Sequence, residues 1–94
     1  MGANEACQIV VGYLRDRNHV AIPSCRYEDE VFGNFIIAFK AYDAERSIVC
    51  DRGQITLHDE LEGEVYSRTV MQTIYAIKAH DLTAALDDNL RDIS

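Results

Sequence analysis

The sequence predicts an α+β domain: a helix, a three-stranded antiparallel meander, and one or two C-terminal helices packed on one sheet face. Three observations carry that expectation. Apolar residues recur at helical spacing near both ends of the 94-residue chain. Alternating apolar stretches divided by short turn segments fill its middle, and short connections require antiparallel pairing because parallel strands need a long crossover. The chain's length and its 48% hydrophobic content suit a single domain over residues 1–94 with one core.

The first element is expected over residues 5–17 (EACQIVVGYLRDR), where Ala6, Val10, Tyr13 and Leu14 form one helical stripe and Asn4 can serve as N-cap. Gly12 and the run Ile9-Val10-Val11 weaken a helix, which keeps a strand over Gln8 to Leu14 as the alternative. After Pro23, Cys25-Arg26-Tyr27 suggests a short strand and Glu28-Asp29-Glu30 a charged turn.

Phe32 to Tyr42 reads as a long strand, with Phe35, Ile37 and Phe39 on the core face and Asn34, Ile36, Ala38 and Lys40 on the other. Asp43 to Arg46 suits a four-residue hairpin loop, and Ser47 to Cys50 a second strand. A turn at Asp51-Arg52-Gly53-Gln54 leads to a third strand, Gln54 to His58.

The acidic stretch Asp59-Glu60-Leu61-Glu62-Gly63-Glu64 is then expected to divide the sheet from a helical C-terminal third. There Val70, Ile74 and Ile77, with Met71 and Tyr75 beside them, form a stripe that Ser67 can cap. Asp81 caps a second helix with Leu82, Leu86, Leu90 and Ile93 inward and Asp87, Asp88, Arg91 and Asp92 outward. His80-Asp81 marks a break between the two helices, and a continuous helix from Tyr66 to Asp92 is the alternative, because nothing between those residues forbids helix.

Sixteen acidic side chains against nine Lys and Arg give a net charge of −7. Residues 1–47 hold seven acids and five bases (−2), and residues 48–94 nine acids and four bases (−5). Such a field repels phosphate backbones and anionic bilayers, so nucleic acid and membrane are not the expected partners. It attracts a basic protein and accelerates its association. No apolar stretch approaches the roughly 20 residues a spanning helix needs, and the first residues lack a signal-peptide pattern, so a cytoplasmic location is expected.

Residues that could support catalysis are sparse. Cys7, Cys25 and Cys50 form no CxxC pair and read as small structural thiols. His19, His58 and His80 have no metal-ligand spacing. Cys50 and His58 flank one hairpin and are the nearest approach to a nucleophile pair, yet nothing beside Cys50 lowers its pKa. The acidic stretch lacks the ligand spacing of a calcium loop, and the isolated Gly53 and Gly63 make no phosphate loop. The expectation is therefore a non-enzymatic binding protein without metal or cofactor. Its candidate docking residues are Asp59, Glu60, Glu62, Glu64, Asp87 and Asp88, with Tyr42 and Tyr66 as aromatic anchors. A semi-apolar second sheet face around Ile36 and Ala38, and the sheet edges, are where a partner or a second copy would dock to form a homodimer.

In size, charge and element order the chain resembles the immunity proteins of bacterial toxin systems, including those of contact-dependent growth inhibition. The features that carry the resemblance are the −7 charge, the strand pair within FGNFIIAFKAYDAERSIVCDRGQITL, and the stretch DELEGE. That resemblance implies a non-enzymatic inhibitor that blocks the active site or substrate groove of a cognate toxin domain, often a nuclease. The order helix, three strands, helix also resembles the first part of type III secretion chaperones, although the helical pattern after Glu64 counts against them. A ligand-binding domain with its site between two subunits is a third reading, and no residue nominates that site.

Overall fold

The computed structural model describes residues 1–28 and 33–93. Helix α1 (Ala3–Arg15) leads into five strands: β1 (Val20–Glu28), β2 (Asn34–Ala41), β3 (Ala44–Asp51), β4 (Gln54–Leu61) and β5 (Glu64–Met71). Helix α2 (Ala79–Asn89) and a 3-10 turn (Arg91–Ile93) follow. The strands lie in the order β1-β2-β3-β4-β5, each antiparallel to the next. The three-stranded expectation is thus corrected to five strands between two helices.

The stripe expected in the first helix packs as its spacing requires. Ala6, Val10, Tyr13 and Leu14 are buried, and Cys7 joins them. The helix starts two residues earlier than expected, with Gly2 and not Asn4 at the N-cap position. From the sheet, Phe35, Ile37, Phe39, Ile48, Ile55 and Leu57 face the same core, and from the C-terminal region Leu82, Leu86, Leu90 and Ile93 complete it.

Three of the connections are two-residue turns. Tyr42-Asp43, Arg52-Gly53 and Glu62-Gly63 all hold φ between +52° and +83°, the signature of a type I′ turn, whose twist matches that of the flanking strands. The four-residue loop expected at Asp43–Arg46 is therefore corrected, since Ala44, Glu45 and Arg46 already pair with Ala41, Lys40 and Phe39. The expected turn at 28–30 and strand start at Phe32 fall mostly on residues 29–32, outside the described residues; Glu28 itself ends β1.

The largest correction concerns residues 59–77. Asp59 to Leu61 extend β4, and residues 64–71 form a strand where a helix was expected. Val65, Tyr66, Thr69 and Val70 are β-branched or aromatic, types that fit a pleated surface better than a helix. Val70, Ile74 and Ile77 do turn inward, but from a strand end and the connecting segment, so their helical spacing was coincidental. The continuous helix from Tyr66 is likewise ruled out. Helix α2 begins at Ala79 with Lys78 at the N-cap position, and Asp81 accepts the Lys78 N–H at 2.9 Å from within the first turn. The pattern that counted against a secretion-chaperone likeness, helix after Glu64, is lost with this correction.

Both helices cover one sheet face. Among the described residues no helix is long and apolar enough to cross a membrane.

Candidate functional site

Strand alternation sorts the chemistry-bearing residues onto two faces. Cys50 pairs with Ile55 and is buried toward the helices, whereas His58 pairs with Ser47 on the open face. The two therefore lie on opposite sides of the sheet and cannot form a nucleophile–base pair. Burial raises the Cys50 thiol pKa further, and the neighbouring Asp51 adds to that rise against a lowering hydrogen bond from Gly53. Among the described residues no group of His, Cys, Asp or Glu is arranged to hold a metal ion.

The helix-free face carries a row of successive paired positions across the sheet, Ser24, Ala38, Ser47, His58 and Ser67, all of them small but for His58. Their low profile leaves an open trough of about 450 Å³, bordered by Lys40, Glu45, Glu60 and Val65. His58 Nδ1 lies 2.6 Å from Ser67 Oγ, which fixes its ring against the floor. Ile36 stands beside the trough, 45% exposed.

The turn end of the sheet, where the β2–β3 and β4–β5 hairpins close, holds most of the predicted docking residues. Glu60, Glu62, Glu64 and Tyr66 lie on the β4–β5 hairpin, and Tyr42 sits at the β2–β3 tip. Strand spacing puts the two tips about 10 Å apart. Tyr42 is held there by stacking on His19, 4.4 Å between ring centroids. Tyr66 donates to Glu64 at 2.8 Å, and that hydrogen bond, with slight desolvation, raises its pKa. Glu45, Glu60 and Glu62 form no ion pair among the described residues, and exposed Leu61 and Val65 stand among them.

Three predicted docking acids are instead engaged within the fold. Asp59 accepts from the Arg46 guanidinium through both oxygens, and Arg46 also donates to Asp92 at 2.8 Å. The Arg46 side chain is only 7% exposed. Burial alone would lower its pKa, but the Asp59 and Asp92 carboxylates outweigh that and raise it. The pair fastens the C-terminal 3-10 turn to the sheet. Asp87 accepts from the Tyr13 hydroxyl at 2.8 Å and lies 3.8 Å from Arg17, tying α2 to α1. Asp88 pairs with Arg91 at 3.1 Å on the exposed side of α2.

Sequence reasoning missed one convergence. Cys7 on α1 and Cys25 on β1 meet, because Cys25 pairs with Ile37 and shares its helix-facing side. Burial, and then the Cys25 charge and hydrogen bond, raise the Cys7 pKa to about 11. Spacing in sequence could not reveal this, since the contact depends on how α1 crosses the sheet.

No protein-family model, curated protein or solved structure matches the chain. The site therefore rests on its own geometry: an antiparallel α+β domain with a helix-free face and an acidic, tyrosine-bearing end.

Proposed function

We propose that the chain is a non-enzymatic binding module that docks a basic surface of a partner protein at the turn end of its sheet. One observation carries this reading. Glu45, Glu60 and Glu62 stand there without a cationic partner among the described residues, beside exposed Tyr42, Leu61, Val65 and Tyr66. Carboxylates left unneutralised around apolar and aromatic surface form an address for Lys and Arg, since charge steers the encounter and aromatic area holds it. Asp59 and Asp87 act differently, positioning the surface through Arg46, Tyr13 and Arg17.

In its specific form the proposal is an immunity protein, whose acidic end occludes the basic substrate groove of a cognate toxin domain such as a nuclease. Co-expression with the toxin domain encoded beside its gene tests this. The chain is expected to restore growth and to bind the purified domain with an affinity that falls as salt rises. The triple substitution E45K/E60K/E62K is expected to weaken binding at least about tenfold, about 1.4 kcal/mol, mainly through the association rate. Growth that stays arrested, or an affinity untouched by the triple substitution, overturns the reading.

A further inference from the structure

The two edges of the sheet are built differently. Edge strand β1 contains Pro23, which has no N–H to offer, and its register slips between Ala21 and Ser24. Both features discourage another strand from pairing there. Edge strand β5 has neither proline nor glycine, and its six residues from Glu64 to Thr69 are all exposed. Its ladder to β4 also slips, but only at the far end, between Thr56/Thr69 and Ile55/Met71, and is regular from Leu61/Glu64 to Thr56/Thr69.

Turn geometry fixes which backbone groups of β5 are free. A two-residue type I′ turn at Glu62-Gly63 makes Leu61 and Glu64 the first hydrogen-bonded pair. Alternation then directs Tyr66 and Arg68 toward β4, and the N–H and C=O groups of Val65, Ser67 and Thr69 toward the open edge.

We propose that this edge pairs antiparallel with β5 of a second copy, about a two-fold axis through Tyr66, joining two five-stranded sheets into one of ten. In this register Val65 exchanges backbone hydrogen bonds with Ser67 of the second copy, and the symmetry repeats the pair. Glu64 falls opposite Arg68 of the second copy, also twice, at the closer, non-hydrogen-bonded positions where opposite charges stabilise a sheet. The two Tyr66 side chains, each 52% exposed in the single chain, meet at the axis. An axis at Ser67 sets Glu64 against Val70 and loses both ion pairs. An axis at Glu64 or at Arg68 sets like charges face to face.

The net charge of −7 per chain does not oppose this arrangement locally, because β5 itself carries one acid and one base. Antiparallel pairing also separates the acidic tips. Glu62 of one copy lies beside position 70 of the other, eight residues from the second Glu62, or about 26 Å along the strand. That is roughly three Debye lengths at physiological salt, so the repulsion is screened. The pairing leaves Glu45, Glu60 and Glu62 exposed but takes up Val65 and Tyr66 from the surface proposed above, so the two readings are told apart by their readouts: the mass of the chain alone for the pairing, and binding to the toxin domain for the partner.

Sedimentation or light scattering of the full chain, from micromolar to millimolar concentration, tests the pairing. The mass is expected to rise from 10.6 kDa toward twice that value. Glu64→Arg and Val65→Pro, both kept only if circular dichroism shows the native fold, are each expected to weaken association at least about tenfold. The charge swap E64R/R68E is expected to restore it to within a few-fold of the unaltered chain. A chain that stays monomeric throughout overturns the proposal. So does a folded V65P variant that associates normally, or a folded charge swap no better than E64R alone.

Discussion

Strands β2 and β5 are both eight residues long and lie in the same sheet, yet they contribute in opposite ways. Along β2 every second residue is buried, giving Phe35, Ile37, Phe39 and Ala41 to the core. Along β5 only Val70 is buried. The difference lies in what covers them. β2 sits between two strands and beneath α1, whereas β5 has a neighbour on one side and α2 above only its second half. An 11-residue helix rises about 16 Å, against about 26 Å for an eight-residue strand, and Arg68 already reaches the Asn89 carbonyl where α2 ends. The uncovered half of β5 therefore contributes little to folding and remains available for contacts.

Substitutions can break or sharpen this contrast. Phe39→Ala removes a fully buried ring from β2 and is expected to cost about 3–5 kcal/mol in denaturant unfolding. Arg46→Ala, one strand away, leaves two carboxylates without their guanidinium. Because Asp59 and Asp92 are partly solvated, the expected loss is about 2 kcal/mol, with the C-terminal 3-10 turn the first region to gain hydrogen exchange.

Alkaline pH tests the packing of α1 against its neighbours. Burial and then Asp87 raise the Tyr13 pKa from 10.0 to about 12, and Cys7 rises from 9.0 to about 11. Both shifts favour the neutral form in the folded state, so their stabilisation is complete below pH 9 and is lost as pH climbs from 9 to 12. Thermal melts should fall over that window, and the double substitution C7A/Y13F should flatten the fall.

Turn substitutions have smaller expected effects. Gly53→Ala forces a side chain into the left-handed region at φ +83°, with its Cβ 2.5 Å from the Tyr75 ring, and is expected to cost about 1–2 kcal/mol. Gly63→Ala at φ +81° meets open space, so its melting temperature should fall less than that of Gly53→Ala. Smallest of all, Val65→Ser on the uncovered half of β5 should change unfolding by no more than about 0.5 kcal/mol. A larger loss in a monomeric sample would show that β5 is held in the fold by contacts its exposure conceals.

Legibility in the sequence followed the same division. Phe35, Ile37 and Phe39 announced a strand because burial on one face imposes strict alternation. Ala6, Val10, Tyr13 and Leu14 announced a helix for the matching reason. β5 was not legible, since a strand buried at only one residue carries no alternation. Its Val65, Tyr66, Thr69 and Val70 were the available propensity signal, masked by the chance spacing of Val70, Ile74 and Ile77. For the site, the acidity of the stretch from Asp59 to Glu64 was plain, but not which of its acids were already paired. Asp59 looks like its neighbours until Arg46 is seen beside it.

By itself, the sequence determined the α+β character, the inward face of β2, the helical stripe of α1 and the acidic excess, because each is a local pattern of periodicity or charge. Only the tertiary structure decided the strand count, the convergence of Cys7 with Cys25, the parting of Cys50 from His58, and which carboxylates remain unpaired. Those depend on register and on how the helices cross the sheet, and they bring together residues that no sequence spacing relates.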